Sequence, residues 1–530
     1  MKKLLLYTFL LVITMTLKAQ GRYAIIPYPN KLIEAEGDFE FKSVLNINIP
    51  DVFKSEMETM GKIFEEEYFT RLVPSKNSKL VVMLNSSLEK EAYKLTVIKD
   101  NILVETSSGS GCFYAFQTIR QLMKLTGKGS YQIPACQIED QPAFPWRAYM
   151  LDEARNFHGK EVVKSLLDQM ALLKMNTFHW HLTDDQGWRI EIKKYPLLTE
   201  VGAWRDSTRL RENIWRNDKW IWYDAKLYSE RSVGGFYTQE DIREIVTYAA
   251  KRHITIVPEI EMPGHASAAI ASYPWLQSSG EQIKVPSSLG IKKLAYNVAN
   301  EKVYIFLEDV LTEVMDLFPG KIIHIGGDEV KYDAWKECPD IKELMAKEDL
   351  KTYADVQIYF TNRIALFIEK NGFRMMGWNE ILGNVHVEKV EQTASSELTK
   401  NSIVHFWKGD SLLLIEALEK GYDVVNSPGK YTYFDHNGKS LPMTMAYHYS
   451  PVPKGLTGNQ AAHVLGLGCQ MWGETTPTVK LVYNYTFPRI AAYSEVGWTK
   501  EENKDFGRFS EALSELKLYW DRKGIYYLEE

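Results

Sequence analysis

The chain has 530 residues, a formal net charge of −6 and 12% aromatic residues, which is length enough for two domains with full hydrophobic cores. Without Lys2, Lys3 and Lys18 of the first segment the balance becomes about −9, which argues against a nucleic-acid or anionic-membrane partner and for a neutral or weakly charged ligand. The cysteines Cys112, Cys136, Cys338 and Cys469 are scattered without a CxxC pair, so no disulfide framework is indicated and a zinc ribbon is excluded.

Residues 1–19 read as a secretory signal peptide. Lys2 and Lys3 give a basic start, Leu4 to Leu17 an apolar core, and Ala19 a small residue for cleavage. The run is that of a leader and not of a membrane span, and no cysteine stands near the cleavage position to take a lipid. Export to a bacterial periplasm or beyond is expected, with no membrane span in the mature chain.

Residues 20–140 carry short alternating strands, Val44 to Ile49, Leu80 to Leu84, Tyr93 to Val97 and Ile102 to Glu105, then a helical stretch from Gly111 to Lys124. That pattern predicts a small α+β domain. It holds no catalytic cluster, and packing is its default role. The proline-containing segment Gln141 to Trp146 marks the boundary.

From 141 to 530, strand-like and helix-like segments alternate, the signature of βα units around a parallel sheet. Candidate strands end at Leu151, Leu182, Ile260, Gly327, Trp378, Trp407, Val425 and Met471, the eight that a closed (β/α)8 TIM barrel requires. Helical patterns fall between them, among them Gln239 to Arg252, Lys302 to Leu317, Tyr353 to Lys370 and Ser411 to Lys420, and Phe506 to Arg522 closes the chain. The predicted fold is α/β, a TIM barrel preceded by the small α+β domain.

Polar and aromatic residues crowd the ends of these strands, where active sites of such barrels collect. Arg147, Asp152 and Arg155 go with the first strand, and Phe178 to Gln186 with the second. Pro258 to His265 follow the third, Trp378, Asn379 and Glu380 the fifth, Trp407 the sixth, and Trp472 and Glu474 the last. The fourth is the most pointed: the buried run from Lys321 to Ile325 leads into Gly326, Gly327, Asp328 and Glu329. Glycines at a strand end let a ligand approach, and an adjacent carboxyl pair there is costly unless hydrogen-bonded or put to work. The plainer alternative is that Asp328 caps a following helix and Glu329 lies in solvent. Three tryptophans, Trp378, Trp407 and Trp472, at one barrel mouth offer flat apolar faces to the C–H faces of a sugar, while carboxylates and arginine hold its hydroxyls. A neutral carbohydrate fits such a pocket.

These motifs, in this order, resemble glycoside hydrolase family 20, the β-N-acetylhexosaminidases. The matching pieces are Trp146 to Arg155, Phe178 to Arg189, Pro258 to His265, His324 to Val330, Trp472-Gly473-Glu474 and Phe487 to Ala492, with Ile26-Pro27-Tyr28-Pro29 opening the first domain. The resemblance implies an exo-acting enzyme that removes terminal β-linked GlcNAc or GalNAc from glycans or chitooligosaccharides, without cofactor or metal. It assigns Glu329 as general acid/base, Asp328 as the residue orienting the acetamido group, and Asp184 and His265 as the pair supporting the acid. It assigns Arg155 and Glu474 to sugar hydroxyls, Trp378, Trp407 and Trp472 to walls around the N-acetyl group and ring, and Tyr433 and Asp435 to the acetamide and a hydroxyl. Ala148, where glycine is frequent in the family, and the long Trp- and Tyr-containing loop from Asp206 to Val233 depart from the pattern; the loop could alter the linkage or aglycone accepted.

The family is an exception among retaining glycosidases in using the substrate's own 2-acetamido oxygen as nucleophile. The protein then needs Asp328 ionised to hold the acetamide N–H, and Glu329 protonated first and ionised later. Neighbouring carboxyls in a dry pocket titrate together, one of them holding its proton to higher pH. Three other readings stand beside this one. A disaccharide-releasing relative shares the motifs. A sugar-binding protein of the same fold would have lost turnover. A metal-dependent hydrolase could use His179 and His181, which share one face of a strand, with Asp184, Asp185, His265 and His324; the same two histidines also suit hydrogen-bonded supports inside the barrel.

Overall fold

The computed structural model describes residues 21–529 except 128, 207, 217–218, 230–232, 289, 388–389, 410 and 437, and gives only the backbone of 208–216, 219–229, 384–387 and 390–392. The leader expected over 1–19 lies outside the described residues.

An eight-stranded sheet comes first. Its path runs Lys31–Phe41, Tyr131–Asp140, Tyr93–Val97, Ile102–Thr106, Leu80–Leu84, Val44–Asn48, Arg71–Pro74, with Lys124–Leu125 paired to Tyr131–Asp140. Leu95, Val97, Ile102 and Val104 are fully buried at alternate positions, so one face of the pleat is covered. Helix Gly109–Leu122 packs there, its start capped by the Ser108 hydroxyl accepting from the Gly111 N–H. A second helix, Lys54–Tyr68, is mostly polar and buries only Glu56, Thr59, Met60 and Phe64. The sequence carries too few apolar positions there to announce it. The edge strand Lys31–Phe41 is exposed over most of its length for a similar reason.

The second unit is a closed barrel of eight strands: β1 (Trp146–Asp152), β2 (Thr177–His181), β3 (Thr255–Glu259), β4 (Ile322–His324), β5 (Arg374–Trp378), β6 (Ile403–Phe406), β7 (Asp423–Asn426) and β8 (Val464–Met471). All neighbours are parallel. The register sets Asp152 beside His181, His181 beside Glu259 and Glu259 beside His324. Polar groups from four strands therefore share one layer near the C-terminal mouth, above an apolar plug of Trp146, Ala148, Val257, Met376, Ile403 and Val425.

Seven strands end within one residue of the expected positions; β4 stops at His324, three residues early. Gly326 and Gly327 take φ values of 67° and 87°, which extended backbone does not allow. No helix begins at Asp328; the next one starts at Asp333, so the helix-capping alternative fails. Arg147 is also placed differently from its grouping with the mouth residues. It is the second residue of β1 and lies at the opposite end, where its guanidinium binds Glu91 at 2.9 Å and donates to the Lys174 carbonyl at 2.9 Å. There it ties the barrel base to the first domain. Lys174 and Asp140, both fully buried and 3.0 Å apart, make a second tie, with Trp498 Nε1 donating to Asp140 at 2.9 Å.

Candidate active site

The turn after β4 brings Asp328 and Glu329 to the barrel mouth. Its glycines are required: a Cβ on Gly326 would lie 1.8 Å from Glu261 Oε2. Glu329 and His265 both hold positive φ, 50° and 46°, a conformation that side chains other than glycine rarely take and that collects at functional sites. His265 Nε2 lies 3.8 Å from Asp328 Oδ2 and 3.9 Å from Glu329 Oε2. Its other nitrogen stands 3.1 Å from Asp184 Oδ1 and 3.3 Å from Asp185 Oδ2. Burial opposes a charged imidazole, yet the Asp184 and Asp328 carboxylates outweigh it and hold the His265 cation well above its ordinary range. Asp328 is pushed up to about 7, chiefly by burial and further by Glu380 and Glu329, against the pull of His265.

Behind this pair runs a chain of buried polar contacts. His181 stands between Asp184 Oδ2 at 2.9 Å and Glu259 Oε2 at 2.5 Å. Burial disfavours its cation, but Glu259 and Asp184 raise it to about 10. Glu259 also accepts the Trp378 indole N–H at 2.8 Å and has His324 Nδ1 at 3.0 Å and His179 Nε2 at 2.8 Å. His179, His324 and His405 bring ring nitrogens within 4.8 Å of one another, one of four such groupings among the described residues, the others being His181 with Asp184 and Glu261, His265 with Asp184 and Asp185, and His265 with Asp328 and Glu329. Their rings are packed on each other and under Trp378, with His405 stacked on that indole at 4.1 Å and His179 against His324 at 4.5 Å. His179 and His181 both lie in the barrel interior, where His181 is hydrogen-bonded to Glu259 and Asp184.

The expected walls come together. Trp407 stacks on Tyr433 at 6.0 Å with rings 7° from parallel, Trp378 meets Trp472 at 5.8 Å and Trp407 at 6.5 Å, and Tyr433 meets Trp472 at 5.8 Å. Trp407 is fixed by its indole N–H donating to Glu380 Oε2 at 2.9 Å and its backbone N–H donating to Asn379. Arg155 lies over Trp472 at 5.2 Å and is held by Asp184 at 2.7 Å, Asp152 at 3.1 Å and Gln186 at 3.1 Å. Asp152 also accepts the Gly473 N–H at 2.8 Å, which places Glu474 near Arg155 and Asp435. Burial, then Glu474, pushes Asp435 up to about 7. Asp328 Oδ1 and Asp435 Oδ1 are buried without a hydrogen-bond partner among the described residues. The long loop Asp206 to Val233 forms an antiparallel hairpin, Thr208–Arg216 with Lys219–Ser229, whose first strand runs beside Gly473–Thr475.

The structure thus brings Asp184, His265, Asp328 and Glu329 together at the mouth, with Arg155, Trp378, Trp407, Tyr433, Trp472, Asp435 and Glu474 linked around them, and leaves Arg147 at the opposite end of the barrel. Sequence reasoning named Glu259 and Glu380 without giving them work, and missed Lys408 altogether. The only signal for Lys408 was its place directly after Trp407 at a strand end.

The geometry can be set beside known proteins. Residues 144–501 match the profile of the glycosyl hydrolase family 20 catalytic domain, and residues 22–141 that of the family's domain 2. A β-hexosaminidase of Vibrio furnissii is 34% identical over 89% of this chain and 76% of its own length. One from Porphyromonas gingivalis is also 34% identical, over 95% of this chain, which spans 64% of that relative. The Vibrio harveyi exo-β-N-acetylglucosaminidase structure in complex with N-acetylglucosamine superposes with a TM-score of 0.82 at 31% identity, covering 96% of this chain and 78% of that one. A Streptomyces plicatus N-acetyl-β-hexosaminidase gives 0.79 at 26% identity over 96% of this chain and 97% of that one. Two adjoining profile matches that take in the first domain and all eight barrel strands settle the classification: the chain belongs to glycosyl hydrolase family 20.

Proposed function

We propose that the protein is an exported, exo-acting β-N-acetylhexosaminidase that releases terminal β-linked GlcNAc or GalNAc with retention, the substrate's acetamide acting as nucleophile. The activities named for the relatives support the reaction class. The observation that carries the mechanism is the buried Oδ1 of Asp328, without a hydrogen-bond partner among the described residues, in a carboxyl close enough to act on Tyr433, whose ring meets Trp407 and Trp472. A buried carboxyl oxygen without a partner demands a donor from the ligand, and an acetamide offers an N–H together with an apolar methyl for the aromatic walls.

In this reading Glu329 passes its proton to the glycosidic oxygen as the acetamide oxygen attacks the anomeric carbon, an attack favoured because the nucleophile is already attached. Asp328 holds the N–H and offsets the positive charge of the oxazolinium intermediate. Glu329 then takes a proton from the water that opens the ring, and the second displacement restores the starting anomer. Arg155, Glu474 and Asp435 take the sugar hydroxyls. His265, backed by Asp184, supplies a fixed cation beside both carboxyls.

Proton NMR of the first product from an aryl N-acetyl-β-glucosaminide tests this. The β-anomer is expected; the α-anomer, or binding with no release of the phenol, would refute the reading. An aryl disaccharide cleaved faster than the monosaccharide would instead favour a disaccharide-releasing enzyme.

A further inference from the structure

Lys408 approaches the carboxyl pair from the end of β6. Its Nζ lies 2.9 Å from Glu380 Oε1, 3.8 Å from Glu329 Oε1 and 4.3 Å from the centroid of the Trp407 ring. The Glu380 side chain is 2% exposed and that of Lys408 31%. Glu380 therefore spends one oxygen on the Trp407 indole and offers the other to the ammonium. This carboxylate would otherwise be a buried negative charge close to Asp328 and Glu329, and burying a charge is costly unless it is paired. The ammonium is held on three sides by Glu380, the Trp407 face and Glu329.

We propose that Lys408 is a positioning residue for the acid/base: clamped by Glu380 and the face of Trp407, its ammonium steadies the Glu329 carboxylate between the two proton transfers. This rests on the reading of Glu329 as acid/base. The groups around that carboxyl come from three elements, Asp328 on its own turn, His265 after β3, and Lys408 after β6, while Glu380 after β5 faces Lys408. In the first transfer the proton leaves Glu329 for the leaving-group oxygen and a carboxylate remains; in the second that carboxylate takes a proton from water. A fixed cation favours the form that exists between the two events. Glu380 limits the effect by drawing the ammonium toward itself, 2.9 Å away against 3.8 Å for Glu329.

The test compares the parent with Lys408→Met, Lys408→Gln, Lys408→Arg and Glu329→Gln, on aryl N-acetyl-β-glucosaminides with good and poor leaving groups across pH. Loss of the cation removes the fixed positive charge 3.8 Å from the Glu329 carboxyl. The alkaline limb of kcat/KM is therefore expected to move up by about one unit in Lys408→Met and Lys408→Gln. In both, kcat with the good leaving group at neutral pH is expected to fall about tenfold, because the carboxylate that serves as base is no longer held in place. Lys408→Arg should return the limb to the parental position, which a merely structural role would not require. Neutral variants with an unmoved limb, or an arginine variant shifted as far as they are, would overturn the proposal. Glu329→Gln retaining full turnover of poor leaving groups would instead discard the acid/base reading itself. The two neutral side chains guard against a folding defect in either one.

Discussion

Glu259 Oε1 accepts the indole N–H of Trp378 at 2.8 Å, so the floor of the sugar pocket hangs from a carboxylate that is wholly buried in the barrel. The same carboxylate holds His181, which holds Asp184, which stands against both Arg155 and His265. Burial opposes its charge, but His324, His181 and His179 keep Glu259 ionised well below its ordinary range. One anion thus anchors the Trp378 indole and, through His181 and Asp184, the His265 cation beside Asp328 and Glu329.

Replacing Glu259 with Gln should loosen both ends of that chain. Partners that orient site residues from behind are worth about 10- to 100-fold, and kcat/KM for an aryl N-acetyl-β-glucosaminide is expected to fall in that range while the protein remains folded by circular dichroism. A parental value would show that Trp378 and His265 are held by other contacts.

Gly326 admits no side chain. A methyl group would meet Glu261 Oε2 at 1.8 Å on a backbone of φ 67°. Gly326→Ala is expected to cost about 2–4 kcal/mol of stability from strain and overpacking, and to reduce turnover at least tenfold by displacing the Asp328-Glu329 turn. Denaturant titration and kcat measured on the same preparation check both parts.

The pH dependence follows from Asp328. Its carboxyl holds a proton up to about 7 in the free enzyme, so kcat/KM should fall as pH drops through that region. In the complex the acetamide N–H and the oxazolinium charge favour the carboxylate, and kcat should hold to lower pH. Initial rates from pH 4 to 9, analysed separately for kcat and kcat/KM, decide whether the two acid limbs separate as expected.

The same shift bears on stability. A carboxyl whose folded pKa is raised from 3.8 to about 7 stabilises the fold only while protonated; that contribution is complete below 3.8 and is lost as pH rises through about 7. Asp328→Asn removes the ionisation. Its melting temperature should match the parent at low pH and exceed it above neutrality, by the equivalent of about 4 kcal/mol for a shift of about three units. Calorimetry at pH 4 and pH 8 reads the difference.

Much of this site could be read from the chain because barrel geometry collects strand ends. An apolar run that stops in Gly326-Gly327-Asp328-Glu329, or in Trp378-Asn379-Glu380, declares its place before any contact is known. What could not be read depends on distances across strands. Glu259 becomes a hub only when the register sets it beside His181 and His324. Lys408 matters only because the β5 and β6 ends bring Glu380 within 2.9 Å of it. Arg147 looked like a mouth residue because sequence does not tell the second residue of a buried strand from its last. Helix Lys54–Tyr68 escaped notice because its covered face is four residues wide.

In the proposed mechanism the acetamide oxygen attacks the anomeric carbon while Asp328 steadies the N–H. A series of aryl glycosides whose N-acetyl group carries none, one, two or three fluorines weakens that oxygen stepwise without enlarging the substrate much. A steep, continuous fall of kcat/KM across the series is expected in the parent enzyme, with no turnover of the matched 2-hydroxy glucoside. Rates independent of fluorine number, or ready cleavage of the 2-hydroxy glucoside, would contradict it.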